Sequence, residues 1–270
     1  MHILKIKSVS NPKIKRIIRL RGYRDRAKEK IAVVEGIREF MLAVDAGVEF
    51  LEIYVSEGFL SEGIGKIIAN KIKLFDISVF ELSKPAFSKI SYCRSTKGIL
   101  GVFRTRYVCS LDSFPLRKHA IFFVIEGIEK PGNIGAILRT CDAVGVDGVF
   151  LCDCKTDIYN PNVIRSSLGT VFSLKTISCS SSQALDFFRL RDIKIYAASP
   201  DAEIDYFSVD FRQKVAIVVG SEDRGLSDFW LNSSDRCVGI PMRGKIDSLN
   251  VSVSAAVLLY EALRQRGAYG

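Results

Sequence analysis

Long apolar runs and histidine are both scarce in this chain. Its 270 residues include two histidines, His2 and His119. No apolar stretch approaches the ~20 residues that a membrane-spanning helix needs. The first residues also lack the apolar core and small-residue cleavage site of a signal peptide. We therefore expect a soluble, cytoplasmic protein.

The cysteines do not form a metal-binding pattern. There are seven of them, an odd number at irregular spacing. Cys152 and Cys154 form a C-x-C, but no second pair and no nearby histidine would complete a zinc site. We expect no metal site and interpret most of the cysteines as small buried thiols.

The two standard nucleotide-binding loops are also missing. An apolar run, "AIFFVI" at 120–125, leads into "EGIEKPGNIGAILRTCDAVG" at 126–145, which is typical of a strand turning into a helix. Its glycines, Gly127, Gly132 and Gly135, do not have the G-x-G-x-x-G spacing, and the G-K-[ST] of a phosphate loop is absent. A nicotinamide-dependent oxidoreductase is therefore disfavoured.

Acidic residues are scarce in one segment, residues 1–30. This segment has eleven Lys or Arg and two acids, so its formal net charge is +9. The formal net charge of the whole chain is also +9. Concentrated positive charge suits a nucleic-acid backbone, because each phosphate contact releases condensed counterions. A solvated helix face is the alternative. We predict nucleic-acid contacts at Lys13, Lys15, Arg16, Arg19, Arg21 and Arg24.

The first third of the chain predicts a small α/β domain, residues 1–104. A helix is expected over "IREFMLAVDAG", which ends at Gly47. Strands are expected over "KIAVVEG", "LEIYVSE", "KIKLFDIS" and "KGILGVFR". Residues 105–118 lose this periodicity and predict a linker.

Residues 119–270 alternate strand and helix. The strands "AIFFVIE", "GVFLC", "VFSLKTI", "IKIYAAS", "KVAIVVG" and "CVGIP" are apolar throughout. Such strands are buried on both faces, as parallel strands are. The pattern predicts a doubly wound α/β domain. Helices are expected over 133–144, about 160–168, 181–190, 227–233 and 250–265.

Three of these strand ends carry unusual polar residues. Asn133 and Arg139 follow the first strand, Gly220-Ser221-Glu222 follows "KVAIVV", and Ser248-Leu249-Asn250 precedes the last helix. Ligands of open parallel sheets bind at such ends. Singly, each also fits an ordinary helix cap, turn or solvated residue.

Taken together, the three loops resemble one family. The patterns P-x-N-x-G-A-I-x-R-T, V-G-S-E-x-x-G-L-S and I-P-M-x-G-x-x-x-S-L-N-V-S-V-S follow in that order. This set resembles the SpoU branch of the SPOUT RNA methyltransferases, also called the TrmH family. The first domain, with "VVEGIREFMLAVDAGVEFLEIYVSE", resembles an L30e-like RNA-binding domain. The whole chain is most similar to ribosomal RNA enzymes of the thiostrepton- and avilamycin-resistance kind.

The resemblance implies methyl transfer from S-adenosylmethionine to a ribose 2′-hydroxyl. The expected substrate is 23S (large-subunit) ribosomal RNA. The alternatives are a transfer RNA 2′-O-methyltransferase and a non-catalytic RNA-binding protein of the same fold. The resemblance further implies a trefoil knot in the C-terminal part and a homodimer that forms through it.

It also implies a set of site residues. The cofactor would contact Gly220, Ser221, Glu222, Ile240, Pro241, Met242, Ser248, Leu249, Asn250 and Val251. The catalytic group would comprise Arg139, Asn133, Glu222, Ser248 and Asn250. Arginine stays protonated under ordinary conditions, so Arg139 either acts as a base with help or orients a phosphate and stabilises developing charge. Arg165 would contact RNA phosphate or a partner subunit's cofactor.

Two positions depart from the family pattern. Lys130 stands directly before the motif proline, where the family often has an acid, and it reverses the charge there. Cys141 stands where alanine is common, and we interpret it as a packing change, since nothing nearby would activate a thiol.

Overall fold

The computed structural model describes residues 3–73, 75, 77–95, 98–105, 111, 114 and 116–267. The chain divides into two compact units. Unit 1 comprises Met1–Arg106 and Tyr159–Ser173, and unit 2 comprises Tyr107–Ile158 and Leu174–Gly270. Much of the predicted linker, 105–118, lies outside the described residues. The predicted domain boundaries stay a prediction.

Unit 1 contains a five-stranded mixed sheet. Its strands are β1 (Ile3–Ile6), β2 (Ile31–Glu35), β3 (Phe50–Ser56), β4 (Ser78–Leu82) and β5 (Ile99–Arg104). Its helices are α1 (Pro12–Arg19), α2 (Tyr23–Glu29), α3 (Ile37–Asp45), α4 (Gly63–Ile72), α5 (Lys84–Ile90) and α7 (Pro161–Ser166). The strand order is β1-β4-β3-β5-β2, in which β5 runs antiparallel to both neighbours.

The basic segment is folded into unit 1. Ile14 and Ile17 lie three apart on α1, and Leu20 follows; all three are buried. This spacing puts an apolar stripe on one helix face. The stripe joins the core that contains Tyr54 and Phe80, whose rings stack with centroids 5.0 Å apart. Burial of this stripe therefore fixes α1 on the sheet.

The segment Tyr159–Ser173 also packs in unit 1. The ring of Phe103, on β5, meets those of Tyr159 and Phe172 edge-on, with centroids 5.4 Å apart in each pair. Edge-to-face aromatic pairs of this kind stabilise a core beyond the area that they bury. α7 lies within this segment, and so does Arg165.

Unit 2 contains a six-stranded sheet. Its strands are β6 (Ile121–Glu126), β7 (Gly148–Cys152), β8 (Thr176–Cys179), β9 (Lys194–Ala198), β10 (Val215–Val219) and β11 (Arg236–Val238). Its helices are α6 (Pro131–Val144), α8 (Ser181–Leu190), α9 (Asp228–Ser233) and α10 (Val251–Gln265). All neighbours in the order β11-β9-β10-β6-β7-β8 are parallel. The predicted α/β class with a parallel sheet is confirmed.

The strand order of unit 2 reverses between β6 and β10. From β6 the chain builds outward through β7 and β8, and it then returns to build β9, β10 and β11 on the other side. In open parallel sheets, ligands bind at the carboxyl ends of the strands beside such a reversal. α10 packs against α6 and β10. The fold therefore brings the ends of β6 and β10 and the start of α10 to one region.

One strand prediction was wrong, and another placed the start of its strand too early. "KIKLFDIS", residues 71–78, was expected to be a strand, but α4 continues to Ile72 and β4 begins at Ser78. Ile68 and Ile72 lie four residues apart on one helical face and are both buried, which favours a helix up to Ile72. "VFSLKTI" begins instead with a 3-10 turn at Thr170–Phe172, and β8 starts at Thr176.

The trefoil knot and the homodimer stay predictions.

No helix in the described part of the chain is long and apolar enough to cross a membrane.

The core of unit 2 depends on its single tryptophan. Trp230 is fully buried, and its indole N–H donates to Ser181 Oγ at 3.0 Å, while that hydroxyl donates to Asp153 at 2.7 Å. We predict that Trp230→Ala destabilises the protein by about 3–5 kcal/mol, because it leaves a cavity and removes the hydrogen bond that Ser181 Oγ accepts. Urea unfolding followed by circular dichroism measures this.

The matched control for this prediction is Leu190→Ala. Leu190 is 82% exposed at the end of α8 in the same unit, so its truncation should change stability by less than about 0.5 kcal/mol. Equal midpoints for the two variants would contradict the role given to Trp230.

Candidate cofactor and acceptor site

A cavity of about 650 Å³ lies at the carboxyl ends of β9, β10 and β11. Its walls include the loop 220–226, the loop that leads into α10, and the first turn of α10 itself. Two of the three predicted loops therefore meet at one cavity. Pockets of this size, with a few convergent polar groups, are typical of cofactor sites.

The loop after β10 requires glycine at two positions. A Cβ on Gly220 would lie 2.1 Å from the backbone carbonyl of Gly225, so no side chain fits there. Gly225 has a φ of +67°, a left-handed conformation that glycine adopts without strain. Ser221 and Gly225 close the loop with two backbone hydrogen bonds of 3.0 Å. The loop is therefore narrow, and its residues line the cavity.

A buried carboxylate anchors the far end of this loop. Glu126, the last residue of β6, is buried and accepts hydrogen bonds from the backbone N–H and the hydroxyl of Ser227, at 2.9 and 2.6 Å. The two residues are 101 positions apart in sequence. No role was predicted for either residue, since an acid at a strand end carries no local signal of a partner so distant.

One amide links all three predicted loops. Asn133 Nδ2, on α6, donates to Glu222 Oε1. Asn250 Nδ2 donates to Asn133 Oδ1 at 3.4 Å, and Asn250 Oδ1 caps α10 by accepting from the N–H of Ser252 at 3.0 Å. Asn133, Glu222 and Asn250 are therefore brought together. Their catalytic role stays a prediction.

Most of the predicted cofactor residues line the cavity. Nine of the ten line the cavity: Gly220, Ser221, Glu222, Ile240, Met242, Ser248, Leu249, Asn250 and Val251. Pro241 does not line it and is exposed. Ser248 faces the cavity, and its hydroxyl lies 3.4 Å from a carboxylate oxygen of Asp247.

The third wall of the cavity was missed. It consists of Ala198, Ser199, Pro200 and Asp201, at the end of β9. The strand "IKIYAAS" itself was predicted, so the rule that ligands bind at carboxyl ends would have pointed to this turn. It was passed over because "SPD" is also an ordinary turn sequence.

The cavity has an excess of negative charge. Its acidic lining residues are Asp201, Glu222, Asp223 and Asp247, and its cationic ones are Lys130 and Arg224. Hydrogen bonds from backbone N–H groups and from Ser221 hold the pKa of Asp223 below its usual range. The cavity therefore favours a ligand that carries positive charge.

Arg139 lies apart from this cavity. It is exposed on α6, six residues after Asn133, and it does not line the cavity. No residue in the described ranges forms an ion pair with it. Cys141, on the same helix, is fully buried, and burial raises the pKa of its thiol. The packing interpretation of Cys141 agrees with that burial.

The basic residues of unit 1 fall into two groups. Lys13 and Arg16 form ion pairs with Glu52, at 2.5 and 3.6 Å. Burial opposes ionisation of Glu52, but hydrogen bonds from Lys13 and Tyr54 outweigh it and lower the pKa of that carboxyl. Lys15, Arg19 and Arg24 are exposed, so they present the charge of the segment to solvent, whereas Arg21 is half-buried.

Arg165 lies in unit 1, where it is exposed on α7. Metal-binding clusters were also sought. In residues whose placement is described, no three His, Cys, Asp or Glu side chains converge to hold a metal ion.

Comparison with known proteins gives two domain matches. Residues 120–260 match the SpoU rRNA Methylase family, and residues 11–101 match the MRM3-like substrate binding domain. The "23S rRNA (adenosine(1067)-2'-O)-methyltransferase" of Streptomyces azureus is 31% identical over 96% of this chain and 95% of its own length.

Two solved structures are similar to this chain over nearly its whole length. A crystal structure of an RNA 2'-O ribose methyltransferase is 38% identical, with a TM-score of 0.84 over 97% of this chain and 99% of that one. The SpoU methyltransferase AviRb from Streptomyces viridochromogenes, in complex with AdoMet, is 26% identical, with a TM-score of 0.86 over 96% and 99%. Since the family match spans more than half of the chain and includes all three loops, this protein belongs to the SpoU rRNA methylase family.

Proposed function

We propose that this protein transfers a methyl group from S-adenosylmethionine to a ribose 2′-hydroxyl of 23S ribosomal RNA. The observation that carries the proposal is the Asn133 amide, which joins the start of α6 to both loops of the cavity through Glu222 and Asn250. This arrangement fixes an acceptor helix beside a cofactor cavity. Methyl transfer needs donor and acceptor held in line, and a rigid link between their two binding elements supports that.

The residues of the cavity fit S-adenosylmethionine. Its sulfonium is a cation, and the lining has four acids and two bases. The loop at Gly220 lines the cavity and has no side chain at that position, so a ligand can approach its backbone closely. When bound, the cofactor supplies the methyl group, while Gly220, Glu222 and Asn250 would hold it and exclude water.

Arg139 is assigned to the acceptor side. Its guanidinium is exposed and unpaired within the described residues, so it is available to an RNA phosphate. Arginine binds phosphate through two parallel hydrogen bonds, which also fix orientation. In this role Arg139 positions the ribose and stabilises negative charge as its hydroxyl loses the proton.

The similarity to a relative named for 23S rRNA supports ribosomal RNA over transfer RNA. The Streptomyces azureus relative acts on 23S rRNA, and it aligns over nearly the whole chain, including unit 1. Residues 11–101 match a substrate-binding domain, and the exposed Lys15, Arg19 and Arg24 there suit phosphate contacts. A ribosomal substrate implies a cytoplasmic location.

A homodimer is part of the proposal. Val253 and Tyr260 lie seven residues apart on the same face of α10. They are 46% and 45% exposed. Val257, between them on that face, is half-buried. An apolar stripe on an exposed helix is suited to an isologous interface, in which the same surface of two copies meets.

The narrow loop gives a prediction for cofactor binding. Gly220→Ala places a methyl group 2.1 Å from the Gly225 carbonyl, so the loop must shift and the walls of the cavity move. We expect at least about a tenfold loss of S-adenosylmethionine affinity, or ~1.4 kcal/mol, measured by calorimetry. The control is Gly132→Ala on α6, where an added Cβ meets nothing within 4 Å. Equal S-adenosylmethionine affinities for the two variants would contradict the role of the Gly220 loop in cofactor binding.

Arg139→Ala is expected to remove activity but keep the cofactor. Because Arg139 does not line the cavity, calorimetry should give unchanged S-adenosylmethionine affinity. Transfer of tritiated methyl to unmodified 23S rRNA should fall by at least about 100-fold, or ~2.7 kcal/mol. Arg212→Ala is the control, since Arg212 is exposed and pairs with Asp210. Wild-type protein that binds no S-adenosylmethionine at millimolar concentration would overturn the proposed function.

A further inference from the structure

Unit 1 has a groove of about 630 Å³ beside the C-terminal end of α5. α1 forms one wall, and α5 with the turn that follows it forms the other. We call it the α5 groove. Its described lining residues are Ile18, Arg21, Pro85, Ser88, Lys89, Ser91, Tyr92 and Arg94.

The α5 groove differs from neighbouring cavities in charge. Three of its eight described lining residues are cationic and none is acidic. A second cavity of unit 1 balances Arg21 and Arg165 against Glu35 and Glu39. A third balances two lysines, at positions 5 and 7, against two glutamates, at 57 and 81. The cofactor cavity of unit 2 has more acidic than cationic lining residues. Among the described lining residues of these four cavities, only those of the α5 groove include cations and no acid.

Two of its cations are free to bind a ligand. Lys89 and Arg94 are exposed. Neither forms an ion pair with any residue that the structure describes. This differs from Lys13 and Arg16, whose charges are offset by Glu52. An anion that enters the groove therefore has no internal carboxylate to displace.

The third cation builds the groove. Arg21 donates to the backbone carbonyls of Lys89, Ile90 and Ser91, at 3.3, 3.0 and 3.1 Å. Its guanidinium lies over the ring of Tyr92, 5.0 Å from the centroid. These carbonyls end α5, where the helix dipole favours a cation. The guanidinium has no carboxylate within 4 Å in the described residues, so its charge still contributes to the potential of the groove.

The turn after α5 is held from the other side. Glu35 accepts a hydrogen bond from Ser91 Oγ at 2.5 Å and another from the N–H of Tyr92 at 2.6 Å. Ser88 Oγ donates to the carbonyl of Arg94 at 3.2 Å. These contacts fix the backbone that carries Lys89 and Arg94. A ligand therefore meets cations on a preorganised surface, which lowers the entropy lost on binding.

We infer that the α5 groove is a docking surface for the sugar–phosphate backbone of the substrate RNA. The inference rests on the proposed function for the identity of that RNA. Phosphate contacts come mainly from Arg and Lys, and they set the position of a nucleic acid without reading its sequence. Protein interfaces have apolar cores depleted in charge, whereas cations and serines make up five of the eight lining residues here. The groove adds Lys89 and Arg94 to the basic segment as RNA contacts.

The test uses the full-length Lys89→Glu/Arg94→Glu variant. The probe is an in vitro transcript of 23S rRNA, with affinity measured by filter binding over a salt series. We expect RNA affinity to fall at least about tenfold and the slope of log K against log salt to fall by roughly 1.4–1.8, since two phosphate contacts are lost. S-adenosylmethionine affinity should not change. The KM for RNA should rise while kcat stays the same, because the contact lies away from the reacting atoms.

The control is Lys66→Glu/Lys73→Glu, which makes the same charge change at exposed residues outside the groove. Circular dichroism and a milder Lys89→Gln/Arg94→Gln variant separate loss of contact from misfolding. Affinity and salt slope equal to those of the control would overturn the inference. So would unchanged RNA binding together with lost binding of polyglutamate, which would assign the groove to an acidic protein. If wild-type protein binds the transcript through the groove but transfers no methyl group, the proposed function fails and the groove stands.

Discussion

The side-chain amide of Asn133 is the interaction on which the site depends. An amide donates and accepts at once, and here the donor engages Glu222 while the acceptor engages Asn250. No other side-chain type of this length offers both functions as a neutral group. Through this single residue, α6, the loop after β10 and the N-terminus of α10 hold one arrangement. Glu126 completes it by fixing the far end of the same loop through Ser227.

The sequence predicted those parts of the fold that local patterns determine. Apolar strands predicted a parallel sheet, and its carboxyl ends predicted where the polar loops converge. The resemblance then assigned chemistry to Asn133, Glu222 and Asn250, whose meeting no local pattern predicts. Most of what was missed depends on distant partners. The Glu126–Ser227 bond and the packing of Tyr159–Ser173 in unit 1 need the folded chain. The wall at Asp201 follows a predicted strand, and it was passed over because its sequence also fits an ordinary turn. "KIKLFDIS" was mistaken for a strand because a short apolar run fits either period.

The two units of this protein differ in the sign and the use of their charged residues. The cavity of unit 2 that we propose for the cofactor has an excess of carboxylates, which suits a cationic sulfonium. In unit 1, part of the basic segment stabilises the fold. Lys13 and Arg16 form ion pairs with Glu52. Ile14 and Ile17 are core residues. Net charge therefore overstated what this segment offers to RNA. Lys89 and Arg94 lie outside it and carry charge that no internal partner offsets.

The single tryptophan has a spectroscopic consequence. Trp230 is the chain's one indole, and it belongs to unit 2. Since it is buried and hydrogen-bonded to Ser181, its emission will shift to the red when water reaches it. Fluorescence therefore follows the opening of unit 2 alone, whereas ellipticity follows both units. Comparing the two signals in one titration reveals whether the units melt as one cooperative body or in succession.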